Sequence, residues 1–325
     1  MSFKAIIPTT IVVLGMLLSP INAAKANDGT YVSVWGGYFY TDAPEVEGFS
    51  QFFGASQFQE FPLDAEDGRL FGVSFGTTID PTSLIFKHIE IYFEGQITEK
   101  DKQAISVPSG TTVTGFSIPD GRLILLNSSD TSAELERERY EFGANLSLSD
   151  QMPNLGPLNL VATIFGGFAN ENFSVTQIGP TFSDASKSDL DWQFFGLLLG
   201  TDATVPVTAG LDLILRGAAG FYHFDADADF VSTSTTLSFN QQTSDSDNDF
   251  GFRGKLSAEL RAKLTEGMTV SLFGGIDYWS DIPYAKLPDS TPPFNVVRVP
   301  SHIDTDDVVD FKAGIKVTVS LDGQQ

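Results

Sequence analysis

The 325-residue sequence predicts an all-β protein: a transmembrane, antiparallel, up-and-down β-barrel of about ten strands behind a cleaved signal peptide. Three observations predict it. The N-terminus reads as an export signal. The chain beyond it resolves into segments of about ten residues in which apolar and polar side chains alternate, the length and pattern of a tilted membrane-crossing strand. No later apolar run reaches the roughly 18 residues that mark a membrane helix.

The leader covers residues 1–26. Lys4 makes a basic start, 5–21 is apolar and interrupted by Pro8 and Pro20, and Ala24-Lys25-Ala26 supplies a small-x-small cleavage pattern. The apolar run is shorter than the roughly 20 residues of a spanning helix and no stop-transfer pattern follows, so cleavage after Ala26 is expected. Residues 27–325 are then one unit, because a closed barrel with large loops can absorb that length. Cysteine is absent, so stability must rest on the closed ladder of strand hydrogen bonds, without disulfides. The formal net charge of −23 argues against a nucleic-acid partner, which needs basic surface, and against an anion-selective pore.

Taken in order, segments 30–41 and 69–79 open the barrel with glycine and aromatic residues in alternation. Segment 87–98 sets Ile89, Ile91, Phe93 and Ile97 on one face and His88, Glu90, Tyr92, Glu94 and Gln96 on the other, which is lipid outside and water inside. Segment 137–149 puts Arg137, Arg139 and Glu141 on one face, and 158–169, 192–205 and 211–224 follow. Segment 250–264 opposes Phe250, Phe252, Leu256, Leu260 and Leu264 to Arg253, Lys255, Glu259, Arg261 and Lys263. A helix would scatter those charges around its circumference. After 268–279, the last segment runs to Leu321, with Phe311, Ile315 and Val317 opposing Asp310, Lys312 and Lys316.

Connections alternate in length. Those around 80–82, 150–157, 206–210 and 265–267 are short, as periplasmic turns are, and those around 42–66, 99–133, 171–190, 228–247 and 281–304 are long and acidic. Starting and ending on a long one puts both termini on the short-turn side of an even-stranded barrel. Eight or twelve strands stay open, because 111–116 with 123–126 could be a further hairpin or a loop with its own pairing. Aromatics near strand ends, Tyr38 to Tyr40, Tyr140, Trp192, Phe221, Tyr222, Tyr278 and Trp279, fit girdles at the lipid–water boundary. A soluble β-sandwich would also alternate, but its strand centres would not carry so many charges on the second face.

Those charges are the candidate site. Glu90, Glu94, Arg137, Arg139, Glu141, Arg216, Arg253, Glu259, Arg261 and Lys312 should face the lumen, where opposite charges on neighbouring strands can pair. They fit a pore lining that sets ion preference and equally a salt-bridged plug filling a narrow barrel. Gly72, Gly76, Gly196, Gly200, Gly220, Gly251, Gly275 and Gly314 fall on the same face; they leave room or permit bending, which favours a channel. Asp225, Asp227 and Asp229 with Asp245, Asp247 and Asp249 flank the fourth long connection. Six carboxylates there invite a divalent cation, although the order lacks the glycine and distal glutamate of an EF-hand and reads more readily as a solvated acidic loop.

In general organisation the chain resembles the porin and OmpA-type membrane-barrel superfamily of Gram-negative bacteria. The resemblance rests on the opening TYVSVWGGYFY of 30–40, the glycine-rich alternation of 194–204 and the closing segment 311–321. It implies an outer-membrane address, contact with membrane lipid and lipopolysaccharide, and delivery by the barrel-insertion machinery. One departure is that such proteins often end on an aromatic, whereas here Asp322-Gly-Gln-Gln follows the last strand. His223 with Asp225 is similar to the Asp/His site of the ten-stranded omptin-type proteases, but no second acidic pair matches. Lipid A-modifying barrels need a histidine with a serine or acidic partner at the outer leaflet; His88 sits near a periplasmic turn, and His302 lies in the fifth loop beside Asp304 and Asp306. The expectation is therefore no enzyme and no cofactor. The leading function is a porin-like passive channel for small cationic or neutral solutes. The alternative is a closed structural or adhesion barrel acting through its acidic outer loops.

Overall fold

The computed structural model describes residues 29–44, 50–52, 58–60, 63, 65–79, 86–106, 112–116, 123–127, 130–148, 158–179, 182–235, 239–287 and 300–321. The expected leader lies outside them. Of the eleven strands in one sheet, ten form the closed ring: β1 (Tyr31–Thr41), β2 (Asp67–Thr78), β3 (Phe86–Thr98), β4 (Asp130–Leu148), β5 (Leu158–Gly179), β6 (Phe182–Thr208), β7 (Leu211–Ser234), β8 (Phe239–Thr265), β9 (Met268–Lys286) and β10 (His302–Ser320); the eleventh, Asp101–Ser106, pairs with the start of β4 beyond β3. Each pairs antiparallel with its neighbour in sequence, and β10 returns to pair with β1, Tyr31 opposite Ser320 and Thr41 opposite Asp310. The ladder thus closes into a ring with no edge at membrane height. Thr112–Phe116 and Leu123–Asn127 pair as a separate two-stranded sheet, so they add no wall strand.

The inner and outer faces follow the alternation. Outward-facing Ile91, Phe142, Phe195, Leu199, Leu215, Leu256, Leu272 and Ile315 are between 44 and 65% exposed. An apolar band on the outside of a closed barrel is intelligible only against lipid. The turn between β6 and β7 is tight, and Gly210 adopts φ +84° there, a conformation that glycine enters without a Cβ penalty.

Several strands run far past the band. β6 and β8 each have 27 residues, about 90 Å of strand at about 3.3 Å per residue, whereas a band about 25 Å tall needs roughly ten residues at membrane tilt. This corrects the expectation of long acidic loops at 171–190 and 228–247. Gly179 pairs with Phe182, and Ser234 with Phe239, so each segment is mostly an extended hairpin. The reason lies in what the two faces meet. On β7, outward Leu211, Leu213, Leu215 and Phe221 give way above Tyr222 to Asp225, Asp227 and Asp229, while the inward face changes from Asp212 and Arg216 to Phe224, Ala226, Ala228 and Phe230. The parity is unbroken and the polarity is reversed: below, apolar out and polar in; above, polar out and apolar in.

The inward apolar residues of the upper half pack together. Leu135, Phe165, Phe173, Leu190, Trp192, Phe194, Tyr222, Phe224, Phe230 and Trp279 are at most 5% exposed and form one cluster, with Leu63 and Ala65 reaching it from between β1 and β2. Four of the expected girdle aromatics, Phe39, Trp192, Tyr222 and Trp279, are not at the lipid boundary. They share the inward parity and fill the lumen, while Tyr38, Phe221 and Tyr278 face outward.

Candidate functional site

Beneath the apolar cluster lies a layer of paired charges, each held by a strand whose alternation turns it inward. Arg253 on β8 is fully buried and donates Nε and Nη2 to the Asp277 carboxylate on β9 at 2.9 and 2.7 Å. The same Nη2 lies 2.7 Å from Glu141 Oε2 on β4. Glu141 also accepts from Tyr92 Oη at 2.6 Å and from Lys255 Nζ at 3.2 Å. Lys312 on β10 bridges Glu94 at 2.8 Å and Asp277 at 3.2 Å. Arg139 pairs with Asp310 and donates to Gln96 Oε1 at 2.7 Å. Four cations, Arg139, Arg253, Lys255 and Lys312, thus meet four carboxylates, Glu94, Glu141, Asp277 and Asp310. Mutual pairing at these distances is what permits charge to be buried at all.

Arg253 also joins the layer to the apolar cluster above it. Its guanidinium lies 3.6 Å from the Trp279 ring centre and 4.5 Å from that of Phe165, close enough for cation–π attraction. Trp279 in turn packs edge-on against Tyr222, Phe194 and Phe165.

All ten charges expected in the lumen stand on the inner face, at four heights. Glu94, Arg139, Glu141, Arg253 and Lys312 form the central layer. Arg137 stands higher and pairs with Glu171 at 2.7 Å. Arg216 and Glu259 stand lower, 3.3 Å apart, with Lys316 at 3.8 Å from Glu259. Glu90 accepts from Ser74 at 2.7 Å and from Asn145 at 3.3 Å. Arg261 pairs with Asp212 at 3.3 Å near the short-turn end. Sequence reasoning missed Asp277 and Glu171 as partners. Both have the right parity, and Asp277 is the one charge in 268–279, so the signal was present.

The six aspartates considered for a cation do not converge. Directly opposed residues share a face, and Asp245 and Asp247 oppose Ala228 and Ala226, which point inward, whereas Asp225, Asp227 and Asp229 point outward. Among the described residues no group of three or more carboxylates or histidines is arranged to hold a metal. The outward set instead faces Asp189 and Asp191 across β6 and β7, Asp191 opposite Asp227 and Asp189 opposite Asp229. Asp191, above the apolar band, has its carboxyl raised from the ordinary value by partial burial and by Asp189 and Asp227.

Among the inner-face glycines, Gly72, Gly76, Gly196 and Gly251 are covered by aromatic rings, whereas Gly200 and Gly275 line a cavity in the short-turn half. A Cβ on Gly72 would fall 2.2 Å from Trp35 ring atoms, on Gly76 2.3 Å from Tyr31, on Gly196 2.5 Å from Phe165 and on Gly251 2.5 Å from Tyr222. Each glycine is directly opposite its aromatic in the ladder, so the ring lies over the neighbouring backbone and glycine is what admits it. The histidines are dispersed: His88 Nε2 is 3.1 Å from Tyr31 Oη inside the barrel, His223 Nδ1 is 2.9 Å from the Asp249 carbonyl on the outer wall, and His302 Nδ1 is 3.0 Å from the Pro300 carbonyl.

Below the charged layer, in the short-turn half, is a cavity of about 370 Å³. It is lined by rings of β1, β3 and β9, by Glu90, Asp202, Arg216, Glu259 and Lys316, and by the underside of the ionic layer.

No family model matches the chain, and no curated protein matches it in sequence. Solved structures share its architecture. The outer-membrane protease OmpT of Escherichia coli is 8% identical, with a TM-score of 0.40 over 92% of this chain and 99% of that one. The translocator domain of the autotransporter NalP of Neisseria meningitidis is 10% identical, with a TM-score of 0.36 over 96% of each. The P. putida toluene transporter TodX is 9% identical, with a TM-score of 0.27 over 92% of each. At these values the likeness selects no activity, and the fold rests on the chain's own pairing. On that pairing and its apolar band, the chain is a closed, antiparallel transmembrane β-barrel.

Proposed function

We propose that the protein is an exported outer-membrane barrel closed to solutes, which works through the tall acidic wall it presents to the outside. The observation that carries this is the apolar cluster across the upper lumen. Side chains of β4 to β7, β9 and β10 meet there, and Trp279, Phe224 and Phe230 have no exposed surface. Each such side chain gains about 1.5–3 kcal/mol from burial, so a permanently open pore would forfeit a large part of the barrel's stability. On this reading the barrel sits among outer-membrane lipid and lipopolysaccharide, and no catalysis is assigned.

Planar-bilayer recording on refolded protein tests it. The expected outcome is no channel events at any voltage the bilayer tolerates; steady single-channel conductance would overturn it. A second reading, the porin-like channel for small cationic or neutral solutes, is favoured by the cavity, which reaches from the short-turn end to the charged layer. It requires the apolar cluster to move aside, so conductance should then rise in Trp279→Ala and alter when Glu94 and Arg139 are neutralised.

A further inference from the structure

We propose that the cavity in the short-turn half binds a small organic ammonium ion, held by Glu90 and Asp202 among the faces of aromatic rings. Four rings line it: Tyr31, Trp35, Tyr92 and Phe273. All four lie over glycines of the next strand. The nearest ring atom to an added Cβ is 2.3 Å away at Gly76, 2.2 Å at Gly72, and 2.8 Å both at Gly143, under Tyr92, and at Gly314, under Phe273. A ring laid on backbone in this way keeps one face against the wall; Trp35, Tyr92 and Phe273 present the other to the cavity, while Tyr31 is stacked on His88 with ring centres 5.6 Å apart. Ring faces are the electron-rich side that attracts a cation.

The chain's own cations do not occupy these faces. Among the described residues, the cation–π contacts are those of Arg139 and Arg253, on Trp279 and Phe165 above the ionic layer. Nor are the cavity's carboxylates all paired. The ionic roof balances itself, four cations against four carboxylates. Below it Arg216 and Lys316 lie within ion-pair distance of Glu259, while Glu90 takes its hydrogen bonds from neutral groups, Ser74, Asn145 and Tyr31, and feels the two cations only at longer range. Among the described residues Asp202 makes no ion pair, and its Oδ1 is buried without a hydrogen-bond partner. Among the residues lining the lower cavity, two cations therefore stand with three carboxylates beside the rings of Trp35, Tyr92 and Phe273. A quaternary or alkylated ammonium satisfies both features: it neutralises the excess charge and, being weakly hydrated, is attracted to the rings. The volume is within the range of ordinary small-molecule sites. The site is separate from the outer wall, and it stands whether or not the barrel conducts.

Isothermal titration of the refolded full barrel with choline tests this, alongside its neutral isostere 3,3-dimethylbutan-1-ol. Saturable choline binding is expected, with the isostere at least tenfold weaker. Glu90→Gln, Asp202→Asn and Trp35→Leu, each checked for the heat-dependent mobility of a folded barrel, should each weaken choline several-fold. The proposal is overturned if choline does not bind saturably, if the isostere binds as tightly, or if folded Asp202→Asn and Glu90→Gln bind choline as the unaltered protein does. The isostere comparison decides the matter on the unaltered chain even where a variant fails to fold.

Discussion

Arg253 is the residue on which most of the interior converges, and burial decides what its loss would cost. Its side chain is fully buried between two carboxylates and two aromatic rings. Removing one partner of a buried pair leaves uncompensated charge, typically about 3–5 kcal/mol. Arg253→Met should therefore lower the unfolding free energy of the barrel in lipid vesicles by that order, read as a fall in the denaturant midpoint, since Asp277 and Glu141 are stranded. Lys286 and Asp304 make the opposite case at the outer end. They are 2.5 Å apart, but their side chains are 49 and 39% exposed. Exposed pairs contribute about 0.2–1 kcal/mol, so Lys286→Ala should shift the same midpoint by a small fraction of the Arg253 effect. Equal effects would show that the ionic layer is hydrated and open.

At the scale of the strand, the ladder couples each glycine to the ring across from it. A Cβ at Gly72 would enter the Trp35 ring, and overpacking of this kind costs about 1–3 kcal/mol. Gly72→Ala should accordingly destabilise the barrel and move the Trp35 signal, although alanine is the smallest possible addition. On the outer wall, Asp191 opposes Asp227, and like charges directly opposed on a sheet are unfavourable. A carboxyl held above its unfolded value costs stability once it ionises, so the penalty is present at neutral pH and is relieved as pH falls into the ordinary aspartate range. Asp191→Asn should raise the unfolding free energy by a few tenths of a kcal/mol at pH 7, with the gain vanishing near pH 4. How the strands read from sequence follows the same logic. The apolar-out, polar-in rhythm identified all ten strands and the inward face of Glu90, Glu141 and Arg253, because each crosses lipid. It ended β7 at Phe224 and started β8 at Phe250, because above the band Asp225-Ala-Asp227-Ala-Asp229 has the same period with reversed polarity and resembles a solvated loop. Trp279 was assigned to the girdle for a related reason: a large aromatic at a strand end suits lipid headgroups and a lumen core alike, and only parity distinguishes them.

For the whole molecule, the reversal of polarity implies two barrels in series on one set of strands, a lower one solvated by lipid outside and an upper one solvated by water outside and filled by its own core. The two need not be equally persistent. The lower one is closed by hydrogen bonds around its full circumference. The upper one lacks ladder pairing between β8 and β9 beyond Arg253 and Trp279; Ser280 Oγ accepts from the Phe252 amide at 2.8 Å across that seam, and Asp245 Oδ2 on β8 accepts from the Ile303 amide of β10 at 2.9 Å. Local stability follows buried apolar contact and backbone protection. If the core is a standing structure, amides of β6 around Leu190 and Trp192 and of β7 around Phe224 and Ala226 should exchange as slowly as those of the same strands at Leu198 and Ile214, and external protease should leave both hairpins intact on whole cells. If the upper amides exchange within seconds while the lower ones stay protected, the core opens routinely, the lumen is gated and not sealed, and the channel reading displaces the closed barrel. Exchange rates on the two halves of β6 and β7 thus separate the two functions without any assumption about what the barrel carries or meets.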